Sequence, residues 1–245
     1  MAIRDITSEE LRLFGEIVAR LERFDSDADL RTAIFRDVIR LVRADFAASY
    51  IWNDPAQRFE KVLIHNMDPA NLRRYEDWFQ FRDPITFLLR ARRRATLVEE
   101  VTPYPELRKT EFYNDFLQRD GLHHGVNLFL FDGDRDLGDF RLWRRKGRPD
   151  FGSRETILLD AIAPYIQRAL VRNARRFGNL TDRERQIAFL VARGCRDRDI
   201  GEMLGISFST VRTHLNSAME KRGCANRAEL AATVMAQDLT GDEAH

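Results

Sequence analysis

Arg212, Thr213 and Asn216 stand at i, i+1 and i+4 in the stretch ISFSTVRTHLNSAMEKRG, residues 206–223. On a helix whose Val211 and Leu215 face a core, these three project together on the opposite side. Arginine and asparagine are the side chains that pair bidentately with guanine and adenine edges, so the trio is a candidate for base reading. Ser207, Thr210, His214 and Lys221 lie on its flanks, where hydroxyl, imidazole and ammonium groups can meet phosphates, and Arg198 upstream can hold the opposite backbone. The chemistry these residues suit is recognition of a duplex polyanion.

The surrounding sequence supplies the elements that would position them. Thr181 and Glu184 have capping-box spacing, and Ile187, Leu190 and Val191 follow at helical spacing to a stop at Gly194. Asp197 can cap a second short helix that carries Ile200, Met203 and Leu204. Gly205 marks a tight turn and Ser207 caps the third helix, which Gly223 closes. Asn226 and Glu229 cap a fourth, running to about Gln237, with Leu230 and Val234 inward. Four short helices with a glycine turn between the second and third predict an all-α helix-turn-helix unit. Charge does not decide between a DNA-reading and a merely solvated third helix. Residues 180–237 hold nine Lys/Arg against seven Asp/Glu, so binding rests on charge placement rather than amount.

The stretch from LTDRERQIAFLVARG through DIGEMLGISFSTVRTHLNSAMEKRGCANRAEL resembles the LuxR/FixJ-type DNA-binding domain. The match is carried by Leu180, Thr181, Arg183, Glu184, Gly194, Ile200, Leu204, Ile206, Ser207, Thr210, Val211, His214, Leu215, Lys221, Gly223, Asn226 and Arg227. Gly201 stands where that family usually has alanine, Arg196 where it has serine, and Ala218 and Arg222 where larger apolar residues are usual. The resemblance implies binding of double-stranded DNA as a homodimer, with the fourth helix carrying part of the dimer contact.

Upstream, helical patterns cover about 8–24 and 28–44, the second with Leu30, Ile34, Val38 and Leu41 at 3–4 spacing. FAASYIWN (46–53) and FEKVLIHN (59–66) read as strands joined by a turn. Helices are expected over about 69–81, from 83–84 through Leu89, and over 110–121. HGVNLFLFD and GDFRLWRRK form a hairpin, and a long helix from about Ser153 to Arg176 closes the region. His123 and His124 fall in a predicted loop without ligand partners at metal-site spacing. This pattern predicts an α+β domain, an antiparallel sheet sandwiched by helices, a construction that often encloses a ligand cavity. Tyr50, Trp52, Tyr75, Trp78, Asp83, Phe87 and Phe129 are candidates to line it; an ordinary aromatic core, with Asp83 as a helix cap, is the competing reading.

YEDWFQFRDPI (75–85) resembles the autoinducer-binding, GAF/PAS-like sensory domain that precedes the DNA-binding unit in LuxR regulators. In members that bind acyl-homoserine lactones, the tyrosine and the Asp-Pro aspartate hold the ligand, and Tyr75 and Asp83 match them. Asn71 and Val98 stand where such members have tryptophans. The resemblance therefore implies a ligand other than a standard acyl-homoserine lactone.

The chain has 245 residues, a net charge of +1 and two cysteines, Cys195 and Cys224. Two cysteines and a charged start predict a cytoplasmic protein with free thiols, and no apolar run is long enough to cross a membrane. No P-loop, G-x-S-x-G motif, paired acid–base carboxylates or phospho-receiver acids occur, so no enzyme activity and no cofactor are expected. The Arg-rich, Gly-Asn stretch 170–180 marks a boundary. It gives a ligand-sensing or dimerisation domain, 1–176, and a DNA-binding domain, 177–245. The expected function is a dimeric, DNA-binding regulator controlled by a small apolar effector. The alternative makes the first domain a ligand-independent dimerisation or protein-docking module.

Overall fold

The computed structural model describes residues 6–24, 29–177 and 180–236. The chain splits into two compact units. One holds residues 1–22 and 31–167, the other 23–30 and 168–245. Gly178 and Asn179, in the stretch expected to mark the boundary, and the last residue of the expected fourth helix, Gln237, lie outside the described residues.

The first unit opens with α1 (Ser8–Glu22) and α2 (Leu30–Leu41), followed by β1 (Phe46–Asn53) and β2 (Arg58–His65). Next come α3 (Pro69–Asp77), a 3-10 turn (Phe79–Phe81), α4 (Thr86–Ala91), β3 (Thr96–Leu97), α5 (Val98–Val101) and α6 (Tyr104–Leu107). A π-helical turn (Phe112–Leu117), α7 (Gln118–Asp120), β4 (Leu122–Asp132), β5 (Arg135–Arg145) and the part of α8 (Ser153–Phe177) up to residue 167 complete the order. The five strands form one sheet in the order β2-β1-β5-β4-β3, antiparallel at every pairing.

Side-chain alternation gives the sheet two buried faces. On one, Phe46, Ala48 and Tyr50 of β1, Phe129 of β4 and Trp143 of β5 join Leu72, Tyr75, Phe79, Ile85 and Phe116 in a single apolar cluster. On the other, Leu128, Leu130, Phe140 and Leu142 are buried. Phe35 of α2 packs there on Phe140 at 6.3 Å, and Arg31 of α2 donates to Ser49 Oγ (3.0 Å) and to the Lys61 carbonyl (2.6 Å). The helix-covered antiparallel sheet expected from the sequence is present.

Several local expectations change. The 69–81 helix stops at Asp77, and the 110–121 helix is wound as a π turn over Phe112–Leu117. β3, α5 and α6 are short pieces whose apolar residues carry no readable period. His123 and His124 lie in β4 rather than a loop. Tyr104 and Tyr113 hydroxyls are 2.6 Å apart and both reach His123 Nδ1. Burial first, then the neighbouring His124 and Lys146, holds the His123 pKa below its ordinary value.

Gly125 shows how tightly the sheet face is filled. It sits opposite Trp143 in the β4–β5 ladder. A Cβ there would come within 2.7 Å of the Trp143 ring and 2.6 Å of Val98 Cγ2. Gly125→Ala should destabilise the protein by about 1–3 kcal/mol through overpacking, read as a lower midpoint in chemical denaturation. Wild-type stability would show that the tryptophan has room to move.

Candidate DNA interface and candidate ligand cavity

The second unit contains α9 (Asp182–Ala192), α10 (Asp197–Leu204), α11 (Phe208–Arg222) and α12 (Arg227–Ala236). Thr181 caps α9 reciprocally: Glu184 N donates to its hydroxyl and Glu184 Oε2 accepts from its backbone N–H at 2.8 Å. Gly205, at φ +64°, makes the left-handed turn out of α10. Ser207 then caps α11, accepting from Thr210 N at 3.1 Å. Ile187, Ala188, Val191, Ile200, Val211, Leu215, Ala218, Leu230 and Val234 form one core beneath these helices. Ala218 is fully buried, so its small size suits the close approach of α11 to its neighbours.

With Val211 and Leu215 inward, Arg212, Thr213 and Asn216 are exposed together on the outer face of α11. Arg212 is not loose. Its Nη1 lies 3.4 Å from Oδ2 of Asp197, a buried carboxylate that also takes Arg227 Nη1 at 2.6 Å. Thr213 Oγ1 donates to the Ser209 carbonyl. Ser207 and Arg198 are exposed, while Thr210 and His214 are half-buried. Lys221 is engaged: its Nζ sits 2.7 and 2.9 Å from the two oxygens of buried Glu184, which also accepts from Ser217 Oγ. Any phosphate contact by Lys221 competes with this pair. Burial opposes the Glu184 charge, but the Lys221, Ser217 and Thr181 hydrogen bonds outweigh it and hold its pKa at about 2.

In the first unit a small cavity lies between the sheet and the helices over it, with a volume of about 20 Å³, room for roughly one water. Of the seven expected lining residues, Tyr50, Tyr75 and Asp83 border it. Phe129 is buried in the same cluster without reaching it. Trp52, Trp78 and Phe87 lie outside it. Trp52 is half-buried against Phe59 and Phe87, whereas Trp78 and Phe87 are 45% and 47% exposed, and the Arg82 guanidinium covers the Trp78 ring at 3.4 Å.

Asp83 combines the two roles open to it in the sequence. Its Oδ1 accepts from the backbone N–H groups of Ile85 (2.8 Å) and Thr86 (3.0 Å) at the start of α4. Its Oδ2 accepts from Thr86 Oγ1 (2.6 Å) and from the Tyr75 hydroxyl (3.2 Å). Asn71, in place of the family's tryptophan, is buried and donates to the Phe116 carbonyl and to Asp120, both at 3.0 Å. Val98 packs toward Gly125.

The centre of the cavity is a residue that sequence reading missed, Arg141 of β5. Its guanidinium is buried among the Phe59, Tyr50, Tyr75 and Phe129 rings, at 4.3, 4.7, 5.4 and 5.8 Å. Nε donates to Asp139 Oδ2 at 2.8 Å, and Nη1 donates to the hydroxyls of Tyr75 and Thr86. Burial works against the charge on Arg141; Asp139 and its other neighbours overcome this and push its pKa up. Burial likewise raises the pKa values of Tyr50, Tyr75 and Asp139. The available signal was Asp139-x-Arg141 in an apolar strand, two charges on one face of a sheet covered by helices.

The fold and the outward α11 surface together define a helix-turn-helix DNA-binding protein with a GAF-like first domain. Residues 178–234 match the family described as bacterial regulatory proteins, luxR family. The second unit thus carries a LuxR-family helix-turn-helix domain, and the chain is similar to LuxR-type transcriptional regulators. It is 27% identical over 175 residues to the monoamine regulon transcriptional regulator of Klebsiella aerogenes, covering 70% of this chain and 75% of that protein. A helix-turn-helix regulator of Mycobacterium bovis is 42% identical over 74 residues, 29% of this chain but 8% of that one. Among solved structures, SdiA in complex with octanoyl-rac-glycerol aligns over 95% of this chain and 97% of its own, with TM-score 0.50 and 18% identity. A GAF domain from a Coxiella burnetii phosphotransferase covers 70% of this chain and 97% of its own, with TM-score 0.52 and 13% identity. Likenesses at these identities show the fold alone. Among the described residues no helix is long and apolar enough to cross a membrane.

The Glu184–Lys221 pair carries a pH signature. A carboxyl held at about 2 instead of the ordinary 4.5 stabilises the fold fully above 4.5 and loses that contribution as pH falls toward 2. Glu184→Gln should therefore cost roughly 1–3 kcal/mol at neutral pH, with the gap to wild type closing in the acid range. Denaturation midpoints taken at stepped pH read this; a gap independent of pH would mean that the charge is not what holds the helices.

Proposed function

We propose that the protein is a cytoplasmic, homodimeric transcription factor that acts by binding rather than catalysis. Its residues 177–245 read DNA and its residues 1–176 sense a small molecule. In a dimer, two copies of α11 enter successive major grooves, with half-sites about one helical turn apart. Arg212, Thr213 and Asn216 meet base edges; Arg198, Ser207, Thr210, His214 and Lys221 meet phosphates. The single observation that carries this reading is the shared exposure of Arg212, Thr213 and Asn216 on a helix whose other face is sealed by Val211, Leu215 and Ala218.

The effector is a mostly apolar molecule in the cavity beside Tyr75 and Asp83, and differs from a standard acyl-homoserine lactone. Asn71 and Val98, in place of the two tryptophans, support that: the Asn71 amide nitrogen donates to Phe116 and Asp120, and Val98 packs in the core. The effector acts by binding DNA-competent and incompetent states with different affinity. SdiA, solved with octanoyl-rac-glycerol, supports a small-molecule role for such a fold. A second reading, a protein-docking module, is favoured by the exposure of Trp78, Phe81, Phe87 and Leu88 around α3 and α4.

Arg212→Ala should weaken binding to the selected operator by about 1–3 kcal/mol and relax base preference at one position. Gel shifts on operators recovered from random DNA measure it; unchanged affinity and preference would remove Arg212 from the base contacts. Fractionated cell metabolites should raise the thermal midpoint of the full chain by mass action, whereas a rise produced only by a protein fraction would favour docking.

A further inference from the structure

Two buried side chains that border the cavity each carry a polar atom without a hydrogen bond, and the two residues are partners in one ladder. Asn127 of β4 and Arg141 of β5 are directly paired in the sheet, and both border the cavity. They are 1% and 5% exposed. Among the described residues neither Asn127 Oδ1 nor Arg141 Nη2 has a hydrogen-bond partner. Nη2 does lie 2.8 Å from Asp139 Oδ2. The contact is an ion pair whose alignment falls short of a hydrogen bond. Buried polar groups left unpaired are uncommon in native proteins, and each points to an unfilled role. Directly opposed residues on neighbouring antiparallel strands stand about 5 Å apart at Cβ and rise on the same face of the sheet, here the face that borders the cavity.

The charges around these atoms restrict what that group is. A cation is disfavoured because the aromatic box is already occupied by the Arg141 guanidinium, 4.3–5.8 Å from four ring centroids. An anion is disfavoured because two carboxylates, Asp83 and Asp139, share the network with one guanidinium. Tyr75 and Asp83, the polar pair expected to greet a ligand, are saturated by Thr86, the α4 backbone and Arg141.

We propose that this cavity takes an uncharged ligand whose head combines an acceptor with an N–H or O–H donor, as in a carboxamide, the acceptor taken by Arg141 Nη2 and the donor by Asn127 Oδ1. This rests on the small-molecule reading above and names the chemistry of that site. The body of the ligand is apolar, since Ala48, Ile85, Leu122 and Trp143 form the remaining wall. Room comes from Met67, whose unbranched chain repacks readily, and from Phe112 and Phe116 on the π-helical turn, a winding that recurs at functional sites.

Three probes share one body and differ in head charge: phenylacetamide, phenylacetate and 2-phenylethylamine. Thermal unfolding of the full chain with each at equal concentration should show an upward shift with the amide and none, or one reached only at about tenfold higher concentration, with the two ions. Asn127→Leu removes an unpaired buried acceptor, so the free protein should unfold at the wild-type temperature or above, yet lose the amide shift. A retained shift in Asn127→Leu would overturn the assignment of Oδ1. If that variant does not fold, the wild-type series still decides, because an ion that shifts unfolding as much as the amide overturns the proposal while leaving the small-molecule reading intact. Silence from all three probes overturns it as well, and the metabolite fractions then judge the small-molecule reading separately.

Discussion

A guanidinium enclosed by four aromatic rings is the constraint around which the first domain is organised. An isolated buried charge costs several kcal/mol even after the surroundings relax. Arg141 therefore needs its partners, and those partners come from four elements. Asp139 lies two residues away on β5. Tyr75 comes from α3, Thr86 from α4, and Tyr50, whose backbone N–H donates to Asp139 Oδ1 at 2.7 Å, from β1. Breaking such a pair by removing one member typically costs 3–5 kcal/mol, although the intact pair contributes little beyond what apolar packing of the same volume would give. The network's effect is thus specificity: it fixes where α3 and α4 sit over the sheet, and so fixes the walls of the cavity.

The DNA-binding unit uses buried carboxylates in the same way on a smaller scale. Glu184 ties the start of α9 to the end of α11 through Lys221 and Ser217. Asp197 ties α10 to α11 through Arg212 and to α12 through Arg227. A core of nine mostly small apolar side chains would hold four short helices weakly on its own. These links set the pitch of α11 against its neighbours. Asp197 also restrains the Arg212 side chain, which limits its rotamers on the outer face of α11.

The contrast between the two units explains what could be read in advance. In the second unit the determinants are local: Thr181 and Glu184, Gly205, and Ser207 and Thr210 act within three or four residues of one another, and the helical period of Val211 and Leu215 assigns the outward face. The first unit's sheet was legible in its longer strands and its hairpin, where β-branched and aromatic runs meet turn residues. Its site was not. Arg141 meets Tyr75 across 66 positions of sequence and Thr86 across 55, and no local pattern distinguishes a buried arginine from the exposed ones beside it. Aromatic residues near the Asp-Pro pair were equally ambiguous. Tyr75 turns to the cavity, while Trp78, three positions on, turns to solvent under Arg82 because the helix ends at Asp77. The π turn at Phe112–Leu117 hides for a related reason: one extra residue per turn shifts the apolar period without altering composition.

Cavity size sets a quantitative condition on any effector. A space of about 20 Å³ does not admit an apolar molecule of drug-like or metabolite size, which needs roughly 300 Å³ or more. The closed arrangement and the ligand-bound one must therefore differ by movement of the apolar wall, and observed affinity equals intrinsic affinity reduced by the population of the open form. Methionine is unbranched and repacks readily, and Phe112 and Phe116 lie 5.3 Å apart, each also in contact with Tyr75 and Phe79. The polar frame has no such freedom, because moving Arg141 away from Asp139 would leave an uncompensated charge. Any opening that admits an effector would accordingly fall on Met67 and the π turn, and would spare the strands and the α3 and α4 residues held by Arg141.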